Sequence, residues 1–366
     1  MTEGVSTPLD DRTGKALDDR TGNTPAFAPR AGHTDEVLFA RSGASGRVRL
    51  NRPRTINAIT PAMVRAINEQ LADWAGDDAV ANVVFDGAGE RGLCAGGDIK
   101  ALYAAVREGN SDALDFWGEE YAMNATIANY RKPTIALMDG IVMGGGIGIA
   151  AYCSFRVVTA TSRVAMPETI IGFFPDVGSR FLLSRAPGHL GTHLALTGAT
   201  VGAGDAIAAG LADVMLDADG ITELLDHLAQ GRPVAECTGE IPAGELAGSA
   251  WMAECYAGSD AAAILEALSS HDDPRARETA EVLRQRCPLS VVVTLAGLRR
   301  AEHMTLVEVL DSDAVMARRF STSPDFLEGV RAQLIDKDRQ PRWQHRDVSE
   351  VSPELVADFL GTVPVG

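Results

Sequence analysis

From Asp35 onward, apolar residues recur along the chain with two different periods. In "EVLFARSGASGRVRLNRP" (Glu36 to Pro53) two short apolar runs flank a Ser/Gly cluster, which predicts two strands joined by a turn. In "TPAMVRAINEQLADWA" (Thr60 to Ala75) Met63, Ile67, Leu71 and Trp74 return at helical spacing, with Thr60 as N-cap and Pro61 at the first helical position. "ANVVFDGAG" predicts a short buried strand running into a glycine loop, and "DIKALYAAVREG" a helix capped by Asp98. Residues 112–130 read as a longer helix, and "PTIALMDG" as another buried strand, followed by "IVMGGGIGIAAYCSF". "FRVVTATSRVAMPE" gives further short strands. Strands alternating with helices predict parallel β-α units. After about residue 220 the pattern is almost wholly helical, as in "LSVVVTLAGLRRAEHMTLVEVLDSDAVMARRF" and "SPELVADFL".

Residues 1–33 break this pattern. They hold the polar repeat "LDDRTGKALDDRTGN", too poor in apolar residues to offset the entropy of ordering, and are expected to be a disordered tail. The expected organisation is therefore a tail over 1–33, a core over 34–225 and a helical region over 226–366.

Composition narrows the function. Hydrophobic residues make up 46% of the 366, enough for a sizeable core, and the formal net charge is −17. So acidic a chain is a poor partner for nucleic acid or an anionic membrane, and an anionic ligand would need a local basic patch or backbone N–H groups. No apolar run has the length or continuity of a membrane span. The five cysteines form no C-x-x-C pair, and the seven histidines form no metal-binding cluster. Reduced thiols and the lack of an apolar leader read as a cytoplasmic protein with no metal site.

"LCAGGDIK" (Leu93 to Lys100) and "DGIVMGGGIGIA" (Asp139 to Ala150) each link a strand to a helix through glycines. A helix start leaves N–H groups unpaired and partly positive. Two such loops could aim one N–H each at the same point and stabilise charge developing on a carbonyl oxygen. "MPETIIGFFPDVG" (Met166 to Gly178) then places Glu168 and Asp176 among Ile170, Ile171, Phe173, Phe174 and Val177. Carboxyls in apolar sequence are costly to bury unless paired or used. Two in one apolar pocket push their pKa values apart, giving one acid and one base. No G-x-S-x-G elbow is present. Ser179 lacks an evident histidine, with His189 and His193 read as helical, and Cys94 reads as a small buried side chain.

The two loops, in this order and followed by "MPE…G…P", resemble the crotonase (enoyl-CoA hydratase/isomerase) superfamily. "MGGGIGIAAYCSFRVVTATSRVAMPETIIGFFPDVGSRFLLSRAPGHLGTHLALTG" and "SPDFLEGVRAQLIDKDRQPRW" (Ser323 to Trp343) resemble its branch of CoA-thioester hydrolases acting on 3-hydroxyisobutyryl-CoA in valine breakdown. The likeness spans roughly residues 35–361.

It implies an α/β fold, a crotonase-like spiral of β-β-α units with a helical C-terminal region. It also implies an acyl-CoA substrate whose carbonyl oxygen sits between the N–H groups of Ala95 and Gly145, with no cofactor beyond the CoA of the substrate. One of the two hydratase glutamates maps onto Gly148 and is missing; the other maps onto Glu168. Asp176 stands where hydratases usually have glycine. That combination implies thioester hydrolysis by Glu168 and Asp176, with Glu120, Gly96, Gly97, Asp98 and Gly144 around the substrate. Lys100, Lys337 and Arg339 are candidates for the CoA phosphates. An enoyl-CoA hydratase or isomerase, and a non-catalytic crotonase-like binding protein, remain as rivals. Superfamily members often form trimers or hexamers, while the C-terminal helices could cover the core within one chain, so a homo-oligomer stays open.

Overall fold

The computed structural model describes residues 25–109 and 112–362, of which 112–114 by backbone alone. Among the described residues eight strands form two sheets. They are β1 (Val37–Ser42), β2 (Ser45–Leu50), β3 (Asn82–Gly87), β4 (Thr134–Met138), β5 (Ile141–Met143), β6 (Phe155–Val158), β7 (Arg163–Ala165) and β8 (Val214–Met215). The larger sheet has the order β1-β2-β3-β4-β6-β8 and is parallel except for the β1–β2 hairpin. The smaller one pairs β5 with β7, also in parallel. Parallel pairing needs a crossover between strands. Helices α1 (Pro61–Ala75), α2 (Ile99–Arg107), α3 (Asp112–Ala128) and α4 (Gly145–Ala150) lie in the chain between these strands. The repeating β-β-α units and the helical C-terminal region are those expected.

Local sequence accounts for the first helix. The Thr60 side chain accepts the Met63 N–H, Pro61 occupies the first turn, and Met63, Ile67, Leu71 and Trp74 are all buried. Each such side chain contributes roughly 1.5–3 kcal/mol by leaving water. Asp98 likewise caps α2 by accepting the Ala101 N–H.

Beyond the core strands, helices Ala261–Ser270, Pro274–Arg284, Pro288–Ala301, Leu306–Ser321 and Pro324–Val330 fold back over the sheets. One continuous cluster of buried apolar side chains runs from Val37 to Leu360, so both halves of the chain share a core. The helix Pro324–Val330 lies directly on the turn Glu168–Ile171. A Cβ added at Gly329 would meet the Ile171 backbone, and one at Gly172 the Asp325 carbonyl.

Residues 1–24 of the expected tail lie outside the described residues. The segment after them is seated on the core. Ala28 bridges Phe39, the Phe27 ring lies 4.0 Å from the Arg49 guanidinium, and Arg30 pairs with Asp73 at 2.5 Å. These contacts belong to the packed chain, ahead of the boundary expected at residue 33. Among the described residues no helix is long and apolar enough to cross a membrane.

Candidate active site

The loop Leu93–Asp98 is fixed on two sides. Gly92 and Cys94 bridge Gly140 and Val142, while Gly97 bridges Ile59. In that last bridge the Gly96 carbonyl accepts from Ile59 N–H and the Asp98 N–H donates to the Ile59 carbonyl. Backbone groups alternate in direction along an extended segment. The Gly97 N–H therefore faces the other way, and it meets no acceptor among the described residues. On the second loop, Gly144 has φ 51° and ψ −124°, a region that favours glycine, and α4 starts at Gly145. The Gly145 N–H is likewise without an acceptor among the described residues. A Cβ at Gly145 would lie 3.4 Å from Gly97 N, so the two amides are neighbours.

One expectation is corrected here. The Ala95 N–H donates to the Ile56 carbonyl at 2.9 Å, so it is already engaged. The donor beside Gly145 is Gly97, two residues on.

Two glutamates flank this amide pair. A Cβ at Gly144 would lie 3.0 Å from Glu168 Oε1, and one at Gly145 would collide with Glu120 Oε1. Glu168 starts a 3-10 turn after Pro167, while Glu120 projects from α3. Both are buried, and Glu120 Oε1 and Glu168 Oε2 have no hydrogen-bond partner among the described residues. Asp176, also buried, accepts the Tyr121 hydroxyl on Oδ2 at 2.7 Å. Burial pushes the Asp176 carboxyl up to about 7, with the Tyr121 hydrogen bond pulling the other way. Burial, and then the charge of Asp176, push Glu168 and Glu120 well above the usual carboxylate range. A charge on Asp176 thus raises the proton affinity of both neighbours.

These groups border a cavity of about 820 Å³. Ala95, Gly96, Gly97, Glu120, Gly144, Gly145, Glu168, Asp176 and Arg339 line it. Asp98, Lys100 and Lys337 do not. The Asp98 carboxylate is occupied by Arg52 at 2.9 Å and by the cap of α2. Arg284 and Arg286 line the cavity instead, together with Trp117, Phe173 and Trp343. Trp117 stacks on Phe173 at 5.6 Å. Arg286 donates through Nε to the Thr197 carbonyl at 2.6 Å and pairs with no carboxylate among the described residues. Nothing in "RQRCP" marks these arginines in sequence, because they meet the site only after the C-terminal helices fold back.

The position of the missing glutamate is filled. A Cβ at Gly148 would stand 2.7 Å from Val177 Cβ and 2.9 Å from Asn124 Nδ2. Other candidates recede. Cys94 is fully buried, and burial pushes its thiol up to about 12. His193 meets the Tyr256 hydroxyl at 3.1 Å, and burial pushes it down to about 4. Ser179 Oγ has no hydrogen-bond partner among the described residues. Among the described residues no cluster of His, Cys, Asp or Glu could hold a metal ion.

Comparison with known proteins agrees with this geometry. The enoyl-CoA hydratase/isomerase family matches residues 45–360. The chain is 38% identical over 342 residues to the mitochondrial 3-hydroxyisobutyryl-CoA hydrolase of Rattus norvegicus, covering 89% of each. It is 36% identical over 340 residues to the Homo sapiens enzyme of that name, covering 88% of each. Among solved structures, a carnitinyl-CoA dehydratase from Mycobacterium thermoresistibile has a TM-score of 0.85 at 42% identity, over 91% of this chain and 98% of that one. An enoyl-CoA hydratase from Rhodobacter sphaeroides has 0.86 at 41%, over 90% and 98%. The hydrolases carry a mitochondrial designation, which overturns the cytoplasmic expectation. Reduced thiols suit any reducing compartment and do not select the cytosol. With its two glycine loops meeting at one pair of free amides, and these matches over most of its length, the chain belongs to the enoyl-CoA hydratase/isomerase family.

Proposed function

We propose that this chain hydrolyses an acyl-CoA thioester, with 3-hydroxyisobutyryl-CoA as substrate and 3-hydroxyisobutyrate and free CoA as products. Its relatives bear hydrolase, hydratase and dehydratase names, so the site has to discriminate. The observation that carries the reading is the filled space at Gly148. Asn124 and Val177 leave no room for a second glutamate there, while an extra carboxyl enters the cavity at Asp176.

In this reading the thioester oxygen sits between the N–H groups of Gly97 and Gly145, which stabilise the oxyanion of the tetrahedral intermediate. Glu168, beside that pair, delivers oxygen to the carbonyl carbon, as base on a water or by its own attack through a mixed anhydride. Collapse of the intermediate breaks the C–S bond. On the water route the thiolate takes up the proton that Glu168 removed from water. On the anhydride route a water then hydrolyses the anhydride, which releases the acid, restores Glu168 and supplies the thiolate's proton. Burial raises the proton affinity of both Glu168 and Asp176, and repulsion between them lets one hold a proton while the other is ionised, giving an acid and a base. Glu120, on the far side of the amide pair, faces the acyl group, where its carboxyl can bond the 3-hydroxyl. Arg284, Arg286 and Arg339 on the cavity wall offer positive charge to the CoA phosphates.

The test compares free-thiol release from (S)-3-hydroxyisobutyryl-CoA with loss of enoyl absorbance from crotonyl-CoA. Fast thiol release with little hydration is expected. Fast hydration without thiol release would overturn the reaction while leaving the family intact.

A further inference from the structure

The turn that carries Asp176 is strained and gripped from outside. The Ser179 N–H donates to the Asp176 carbonyl at 2.9 Å, closing a turn whose central residues, Val177 and Gly178, have φ of 52° and 76°. A β-branched residue is rarely found in that region, and such strain persists only where the surroundings over-determine it. Here both ends of the Gly178 residue are held. Its N–H donates to Asp313 Oδ2 at 2.7 Å, and its carbonyl accepts the Tyr152 hydroxyl at 2.6 Å. The other oxygen of Asp313 accepts Arg180 Nε at 3.0 Å and Nη2 at 2.5 Å. Arg180 and Asp313 are fully buried, so this pair is a fixed part of the turn's environment.

We propose that Asp313 is a positioning residue for Asp176: from the helix Leu306–Ser321 it holds the Asp176–Ser179 turn in its left-handed form through the Gly178 amide. A charge held so close also raises the proton affinity of the Asp176 carboxyl, against the Tyr121 hydrogen bond. This rests on Asp176 being one of the working pair. Five charged or titratable groups face that carboxyl. The Tyr121 hydroxyl and Arg180 favour its ionised form, and Asp313 disfavours it. Glu120 and Glu168 share its cavity, and its charge raises their proton affinity. The helical C-terminal region therefore reaches into the chemistry through one buried carboxylate.

The experiment is an NMR titration of the full-length protein labelled with ¹³C at the aspartate carboxyls. The Asp176 signal is assigned by its loss in Asp176→Asn. In Asp313→Asn the amide side chain still accepts the Gly178 N–H, but its charge is gone. The Asp176 midpoint should fall by about one unit, tenfold in proton affinity. In Tyr121→Phe it should rise by a similar amount. The pH limb of turnover assigned to Asp176 should move with each midpoint. If Asp313→Asn fails to fold because Arg180 is left unpaired, the double variant Arg180→Met/Asp313→Asn removes both charges. Its midpoint should still fall, by less, because Asp313 acts on Asp176 more strongly than Arg180 does. A midpoint that stays put or rises in whichever of these variants folds would sink the proposal. Because the titration is read without substrate, it stands apart from the assigned reaction. Normal hydrolysis by Asp176→Asn would remove Asp176 from the working pair and leave the clamp to be judged by its own midpoint.

Discussion

Glu168 and Asp176 are both buried carboxyls, yet they differ in what they touch. Asp176 has a hydroxyl partner in Tyr121, whereas Glu168 Oε2 has none among the described residues, and Glu168 Oε1 stands beside the loop at Gly144. An unpartnered buried oxygen is costly unless something polar enters the site. Replacing Glu168 with Gln keeps the shape and removes the proton acceptor. Turnover should fall by about 10²–10⁴-fold, with thermal stability unchanged or raised, because one buried carboxyl fewer remains to ionise. Thiol-release kinetics with a melting curve on the same sample check this, and an active, folded Glu168→Gln would remove the residue from its role. Gly148→Glu restores the hydratase pattern in sequence but not in space. It should destabilise by about 1–3 kcal/mol and gain no crotonyl-CoA hydration, because Val177 and Asn124 already fill that volume. Efficient hydration by that variant would show that the pocket yields. The two acids were legible because carboxyls interrupt an apolar run. The choice of Gly97 over Ala95 was not. It depends on which N–H already has an acceptor: the Ile56 carbonyl, remote in sequence, takes the Ala95 N–H, while the Gly97 N–H meets none among the described residues.

Elements close to the site were legible wherever a local signal defines them. Thr60 and Asp98 cap α1 and α2 as their positions suggested. The periodicity after residue 220 gave helices but not their destination, since an amphipathic pattern says that a face is buried and not against what. The destination matters, because the helix Pro324–Val330 lies on the turn that begins with Glu168, and glycine makes the approach close enough. A methyl at Gly329 meets the Ile171 backbone, which cannot swing aside as a side chain can. Gly329→Ala should therefore push the helix off the turn. We expect a loss of about 1–3 kcal/mol in denaturant unfolding and a drop in kcat larger than the change in KM. Unchanged kcat in a destabilised variant would mean that the helix supports the fold without setting the position of Glu168. We propose on this basis that the region after residue 225 acts as a cover for the core rather than as a separate unit.

For the whole molecule, the buried carboxyls and the −17 charge set how stability and binding respond to solution conditions. Asp176 titrates higher in the folded chain than in the unfolded one, where an aspartate ionises near 4. Its contribution to stability is full below about pH 4 and is lost as the pH rises through about 7. The unfolding free energy of the wild type relative to Asp176→Asn should fall between pH 5 and pH 8. A relative rise over that window would contradict the burial of this carboxyl. The same acidity bears on the substrate, because CoA brings phosphates to a chain that repels anions at long range. Attraction has to come from close cations, and Arg286 is placed for it. It lines the cavity, half-buried, with its Nε on the Thr197 carbonyl and no carboxylate to neutralise it among the described residues. Arg284, by contrast, already pairs with Glu281. Arg286→Gln should raise KM for the acyl-CoA by roughly tenfold, the loss of one charge-assisted contact of about 1.5 kcal/mol, with kcat nearly unchanged. The matching N-acetylcysteamine thioester has the same acyl group and no phosphates, so its KM should not move. Equal losses on both substrates would place Arg286 with the acyl pocket, whereas a loss confined to the CoA ester locates the phosphates at the wall formed when the C-terminal helices fold back.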